Sequence, residues 1–240
     1  MQQGYWDIHN HILPGVDDGA GCMEETLLMT EREHQMGIRN IIFTPHWRKG
    51  MFEVSQKEKE QVFLDAVYQL HQYFPDMQFY LGCEYYVSSK DPCQDLRSYC
   101  ISGSDSILIE FAPGQSFQKI CSTVSTLRGQ GIHPMLAHVE RYLCLREDPE
   151  RIRELKQLGA RIQINADSLM GKNGFGISRF ARQLVRYRRV DLIASDAHDA
   201  KTRIQMLGQS IRYVEKSCGE ETAQEIFIKN PENMLGCTNR

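Results

Sequence analysis

Apolar runs recur along the chain at residues 5–9, 39–44, 78–84, 106–111, 134–139, 161–165 and 190–195, and six of the seven lead into side chains able to hold a cation. His9 and His11 close the first, and His46 follows the second. Glu84 and Glu110 end the third and fourth, His138 the fifth, and Asp196 and His198 the seventh. In an extended segment an i, i+2 pair such as His9/His11 or Asp196/His198 projects from one face. Helical patterns separate most of the runs, and this alternation predicts βαβ units with a parallel sheet. A closed parallel barrel aims the C-terminal ends of all its strands at one place. An open doubly wound sheet gathers only two or three at its switch point. The expected fold is therefore α/β, a barrel-like single domain over residues 1–240, with a multinuclear metal site at one mouth.

The helical stretches have readable ends. Residues 23–36 keep a 3.6-residue period and stop at Gly37. Ser55-Gln56-Lys57-Glu58 has capping-box spacing and opens a helix to about Tyr73. Residues 117–128 stop at Gly129, and Pro149 fits the first position of a helix ending at Gly159. Residues 177–189, 202–217 and 220–228 complete the pattern. Segment 86–105 reads as a long connection beside the site. Gly171-Lys172-Asn173-Gly174-Phe175-Gly176 lacks phosphate-loop spacing and reads as a flexible turn into the next helix.

Composition narrows the function. A length of 240 residues suits one large α/β domain, and a net charge of −3 argues against nucleic acid as a partner. No segment approaches the roughly 18 consecutive apolar residues of a membrane span. Candidate ligands begin at residue 9, which leaves no room for a signal peptide. A cytoplasmic protein with no membrane insertion is expected. Its eight cysteines include no Cys-x-x-Cys pair and read as reduced thiols. None has an arginine six positions later, so the thiolate phosphatase loop is absent.

Glu84 and Glu110 lie where an apolar run meets the core edge. Burying an unpaired carboxylate there costs several kcal/mol, so each calls for a cation, either a metal or a neighbouring Arg or Lys. Histidines mixed with carboxylates suit zinc, manganese or iron, whereas calcium prefers oxygen alone. Asp7, two residues before His9, is expected on the same face, orienting an imidazole through its second nitrogen. Asp17 and Asp18 are either turn residues beside Gly19 or groups above the site, acting as ligand or proton donor. Arg141 and Arg203 are either surface residues or the two arms of a phosphate clamp. His34, His71 and His133 read as structural.

Four strings together resemble the polymerase-and-histidinol-phosphatase (PHP) family: Asp7-Ile8-His9-Asn10-His11, Thr44-Pro45-His46, Ala137-His138-Val139-Glu140-Arg141-Tyr142 and Ser195-Asp196-Ala197-His198. Within it, His-Ile-Leu-Pro-Gly-Val-Asp-Asp-Gly at 11–19 and Arg48-Lys49-Gly50-Met51-Phe52-Glu53 resemble the bacterial capsule-type protein-tyrosine phosphatases. The resemblance runs from residue 5 to about 235. It implies a distorted (β/α)7 TIM-like barrel with up to three divalent metal ions, manganese first, iron or zinc as alternatives. It places the ligands at His9, His11, His46, Glu84, Glu110, His138, Asp196 and His198, and further active-site positions at Asp18, Arg141 and Arg203.

The implied substrate is phosphotyrosine in the tail of a bacterial tyrosine kinase that controls capsular or exopolysaccharide synthesis. Metal-activated hydroxide would attack it directly, without a covalent enzyme intermediate. Trp47 departs from the family pattern, where a basic or smaller residue is expected. With Phe52, Tyr85 and Tyr86 it stands at the rim, able to hold a phenyl ring or simply to pack. The rival readings are a histidinol-phosphatase-like phosphoesterase and a non-catalytic kinase-binding module. A metal-dependent amidohydrolase fits less well, because no bridging lysine ends a middle strand.

Overall fold

The computed structural model describes residues 4–88, 95–201 and 204–236. Its strands are β1 Tyr5–Asp7, β2 Ile38–Phe43, β3 His46–Trp47, β4 Gln78–Leu81, β5 Glu84–Tyr86, β6 Ser106–Glu110, β7 His133–Leu136, β8 Arg161–Asn165 and β9 Leu192–Ala194. They form two ladders, β1-β2-β4 and β3-β5-β6-β7-β8-β9, with every pairing parallel. β3 continues the course of β2 and β5 that of β4, so the nine strands among the described residues trace the seven apolar runs. Pro45 interrupts the first line because it has no N–H to give a ladder. Gly82 interrupts the second, where an added Cβ would lie 3.1 Å from an Ile101 side-chain carbon. Backbone bonds also join the segments that follow the first and last strands. Asp196 N donates to His9 O at 2.8 Å, and His11 N donates to Ala197 O at 2.9 Å.

Strand alternation sorts the side chains to two sides. Ile42, Leu108, Met135, Leu192 and Ala194 pack with Trp6 and Ile8 into a small cluster. Their neighbours Ile41, Phe43, Ile107, Ile109, Leu136 and Ile193 enter a larger core. The result is a mixed α/β unit with a curled parallel sheet, the small cluster on its concave side and the helices on its convex side.

The helices are α1 Met23–Gln35, α2 Gln56–Tyr73, α3 Phe117–Gly129, α4 Leu143–Glu147, α5 Arg151–Gln157, α6 Ala166–Leu169, α7 Phe175–Arg186, α8 Ile204–Cys218, α9 Glu220–Gln224 and α10 Asn230–Met234. The capping box opens α2 as expected, with Ser55 accepting from Glu58 N and the Glu58 side chain reaching back. Several boundaries differ from the sequence reading, α7 ending at Arg186 rather than 189 and the stretch expected at 220–228 breaking after Gln224, and three have a local cause. Gly129 lies inside α3, whose cap is Gln130. α5 starts at Arg151, beyond Pro149, because Asp148 Oδ1 accepts from Glu150 N and holds a turn there. α7 starts two residues early, at Phe175, because Gly174 takes a left-handed φ of 88° that turns the chain into it.

The short helices α4 and α6 had no periodic signal. Of the long connection at 86–105, the structure describes a 3₁₀ turn at Arg97–Tyr99, while 89–94 lie outside the described residues. All six cysteines among the described residues are free thiols. No helix among the described residues is long and apolar enough to cross a membrane.

Candidate metal centre

β1 ends at Asp7 and the chain bends at His9. Trp6 and Ile8 face the concave side, so Asp7 faces the helices, where Ser195 N and Ser195 Oγ donate to its carboxylate at 3.0 and 2.6 Å. The bend then turns His9 to the other face. This corrects the expectation that Asp7 orients an imidazole, since residues 7 and 9 no longer share a side. Two other groups take that role. Gln163 Oε1 lies 3.4 Å from His9 Nδ1, and Asp17 Oδ2 lies 2.7 Å from His11 Nδ1. In the neutral imidazole, a donor proton on each Nδ1 leaves Nε2 as the free nitrogen, the one a cation would take.

The loop after His11 is held tightly. Asp17 also accepts from His46 N at 2.9 Å and from Gly19 N at 3.0 Å. A Cβ at Gly19 would sit 1.9 Å from His11 O, so only glycine lets the loop fold back onto the histidine. That fold brings Asp18 Oδ1 to 3.5 Å from both His46 Nε2 and His198 Nε2.

Strand register does the rest. β3 and β5 pair His46 with Glu84, and β5 and β6 pair Tyr86 with Glu110. Glu84 Oε2 lies 3.0 Å from His46 Nδ1, 3.2 Å from His9 Nε2 and 3.3 Å from His11 Nε2. Its Oε1 lies 3.0 Å from His138 Nε2, which is 3.5 Å from Glu110 Oε1. Asp196 Oδ1 stands 3.5 Å from both His9 Nε2 and His11 Nε2 and 3.7 Å from His198 Nδ1. The eight residues expected as ligands therefore meet around Glu84. Seven of them, together with Asp18, form three groups of metal-binding size: His11, Asp18, His46 and His198; His9, His11, Glu84 and Asp196; His46, Glu84 and Glu110, with His138 outside all three.

Two of these residues adopt left-handed backbone, His138 at φ 35° and Asp196 at φ 51°. Non-glycine residues persist there only when their surroundings fix them. Gln163 Oε1 accepts from His138 N at 2.6 Å, and Asn165 Nδ2 donates to Asp196 Oδ2 at 2.5 Å. Arg141 Nη2 donates to the same oxygen at 3.1 Å, which brings this guanidinium to the site. Arg203 lies outside the described residues.

The electrostatics mark an incomplete arrangement. His9 Nε2, His11 Nε2 and Glu84 Oε2 are buried without a hydrogen-bond partner. Burial opposes charge on Glu84, but the surrounding imidazoles of His9, His11, His138 and His46 outweigh it and hold the carboxyl well below its usual range. Burial likewise opposes charge on His11, and Asp17, Asp196 and Glu84 together raise it well above the usual imidazole value. Glu110 is pushed up, first by burial and then by the neighbouring charge of Glu84. A dense set of nitrogen and carboxylate donors with orphaned atoms aimed inward fits divalent cations better than it fits itself.

Sequence reading missed Gln163 and Asn165, although a signal was there. In Arg161-Ile162-Gln163-Ile164-Asn165 the polar residues alternate with isoleucines, the same i, i+2 spacing as His9/His11. Lys59 was missed too; it is buried on α2 and donates to His46 O at 2.8 Å. Among the rim aromatics, Trp47 stacks on Tyr85 with centroids 4.7 Å apart and also meets Tyr99. Phe52 instead stacks on His46 at 5.3 Å. Trp47 is thus a packing residue, and Phe52 covers a candidate ligand.

The family model for capsular polysaccharide synthesis, CpsB/CapC, matches residues 5–236. The tyrosine-protein phosphatase CpsB of Streptococcus agalactiae serotype V is 31% identical over 237 residues, covering 95% of this chain and 97% of the relative. The tyrosine-protein phosphatase YwqE of Bacillus subtilis strain 168 is 32% identical over 235 residues, covering 95% of this chain and 91% of YwqE. A crystal structure from work on YwqE of B. subtilis and CpsB of Streptococcus pneumoniae, described as unique metal-dependent tyrosine phosphatases, superposes with a TM-score of 0.87 at 28% identity. It covers 98% of this chain and 95% of its own. The phosphotriesterase homology protein of Escherichia coli shares the fold at a TM-score of 0.62 and 14% identity, covering 98% and 99% of the two chains.

Proposed function

The chain belongs to the capsular polysaccharide synthesis CpsB/CapC family, and from that premise we propose that it is a metal-dependent protein-tyrosine phosphatase. Its substrate in this reading is phosphotyrosine in the tail of a bacterial tyrosine kinase of capsular or exopolysaccharide synthesis, and its own place is the cytoplasm. The observation that carries the reading is the set of buried, unpartnered Nε2 and Oε2 atoms of His9, His11 and Glu84, which converge with five further candidate ligands. His9, His11, Glu84 and Asp196 would hold one cation, and His11, Asp18, His46 and His198 a second. His46, Glu84 and Glu110, with His138 beside them, would hold a third. The donor set suits manganese, with iron or zinc as alternatives. When bound, such cations supply Lewis-acid charge and a water acidified to near neutrality.

The chain's own groups do the positioning. Gln163 and Asp17 fix the tautomers of His9 and His11. Arg141, steadied on Asp196, faces the charge that develops on phosphoryl oxygens. Asp18 stands between His46 and His198, a place that favours a ligand's role over a free acid's. Arg203 is assigned as the second guanidinium of the clamp. The backbone bonds between residues 9–11 and 196–197 support a closed, distorted (β/α)7 barrel over the curled sheet, with the whole chain as one unit.

The test is phosphate release from a tyrosine-phosphorylated peptide with Mn²⁺ and after chelation, with histidinol phosphate as competitor. Metal-dependent release from the peptide is the expected result. Preference for histidinol phosphate would move the enzyme to small-molecule chemistry. Silence on both, with retained kinase binding, would leave a non-catalytic module.

A further inference from the structure

The exposed side of α7 carries Arg179, Arg182 and Arg186 at i, i+3 and i+7. Phe175, at 83% exposure, opens the helix. Beside its first turns, Leu143 and Arg146 of α4 join Phe175, Arg179 and Gln183 to line a groove of about 590 Å³. Glu147 is the only acid among the lining residues. Acids nearby are already paired, Glu150 with Arg153 and Arg189, and Asp191 with Lys156. Arg146, Arg179 and Arg186 have no ion-pair partner among the described residues. On a chain with a net charge of −3, this is a local excess of positive charge.

The groove adjoins the candidate site. α7 packs on the 3₁₀ turn Val139–Arg141, whose last residue reaches Asp196, and Leu143 follows two positions later. We propose that this face docks an acidic segment of the protein substrate next to its phosphotyrosine. The inference rests on the phosphatase reading above. Carboxylates of the segment meet the guanidinium forks, which match carboxylate geometry in pairs. An apolar side chain enters between Leu143 and Phe175, the aromatic-plus-arginine composition of protein-recognition anchors. A concave groove with an acid on its wall fits a chain segment better than a flat anionic bilayer.

The test compares the holoenzyme with its R179E/R186E and F175A variants on three substrates: p-nitrophenyl phosphate, a phosphotyrosine peptide with Asp and Glu flanks, and one with neutral flanks. The acidic peptide should be preferred about tenfold, and the preference should fade with salt. R179E/R186E should remove that preference through KM, leaving p-nitrophenyl phosphate within about twofold. F175A should weaken both peptides and spare the small substrate. Equal wild-type kcat/KM on the two peptides overturns the inference, as does an unchanged preference in R179E/R186E. Parallel loss on p-nitrophenyl phosphate overturns it too, by exposing a structural effect. Vesicle binding to phosphatidylglycerol that R179E/R186E abolishes, with peptide kinetics intact, would assign the face to lipid instead. If no phosphotyrosine is hydrolysed, the phosphatase reading fails by itself. Anisotropy binding of the unphosphorylated acidic peptide, with and without R179E/R186E, then decides docking independently.

Discussion

Two clusters of buried carboxylates lie on opposite sides of the first strand, and they handle burial in opposite ways. On the helix side, Asp7 accepts from Ser195 N, Ser195 Oγ and Asn10 Nδ2. Beside it, Glu33 of α1 is pushed well above the usual carboxylate value by burial and by the charge of Asp7, which biases it toward the neutral acid. That cluster meets burial by favouring a neutral acid, although Glu33 Oε1 and Oε2 also lack a hydrogen-bond partner. On the concave side, Glu84 and Asp196 are held in their charged forms by histidines, while His9 Nε2, His11 Nε2 and Glu84 Oε2 stay without hydrogen-bond partners. Burial of charge is therefore a poor marker of function. Nitrogen and carboxylate atoms of several residues converging on common points are the better one.

The substitution Glu84→Gln breaks the contrast most severely, because it removes the carboxylate shared by two of the three donor groups. Turnover should fall about 10³-fold, the scale of losing a key electrostatic group, and metal content after dialysis should fall with it. Near-normal turnover with full metal content would place the front cluster in the same class as the one behind.

Next comes Gln163→Leu, which frees the His9 tautomer and the His138 backbone without touching a candidate ligand. Manganese affinity should weaken about 10- to 100-fold by calorimetry, the usual effect of losing an orienting partner. The circular dichroism spectrum should not change. Unaltered affinity would remove Gln163 from the machinery.

The third contrast is pH dependence. Asp17 is held at about 2 rather than 3.8; burial opposes its charge, and the His11 contact, with donations from His46 N and Gly19 N, outweighs that. A depressed carboxyl contributes stability that is fully present above about pH 4 and is lost as pH falls through about 2. The contribution is about 2 kcal/mol. In metal-free protein, urea unfolding should show Asp17→Asn less stable than wild type at pH 6, with the gap narrowing steadily below pH 4. A gap independent of pH would point to packing rather than charge.

Glu33→Gln should have the smallest effect, and of opposite sign. A carboxyl raised on folding binds more protons in the native state, so wild-type stability declines as pH rises from its unfolded value through the raised one. Glutamine removes that decline. The variant should melt slightly higher than wild type at neutral pH and equally below the ordinary carboxylate range. A lower melting temperature at neutral pH would show that Glu33 is ionised in the fold.

The apolar runs, the helices between them and the Ser55 capping box were legible in the sequence, because each follows from a period or a cap spanning a few residues. The candidate donors were legible for the same reason, as polar side chains ending strands. Long-range register decided the rest. His46 stands beside Glu84 because β3 pairs with β5, and His11 beside His198 because Asn10 bridges to Ala197. Asp7 illustrates the limit: two residues from His9, it faces away because a bend, invisible to spacing alone, breaks the alternation between them. Residue pattern determined which side chains this protein can bring to a site. Tertiary structure decided which of them face it, since facing depends on bends and strand pairings that join residues nearly two hundred positions apart.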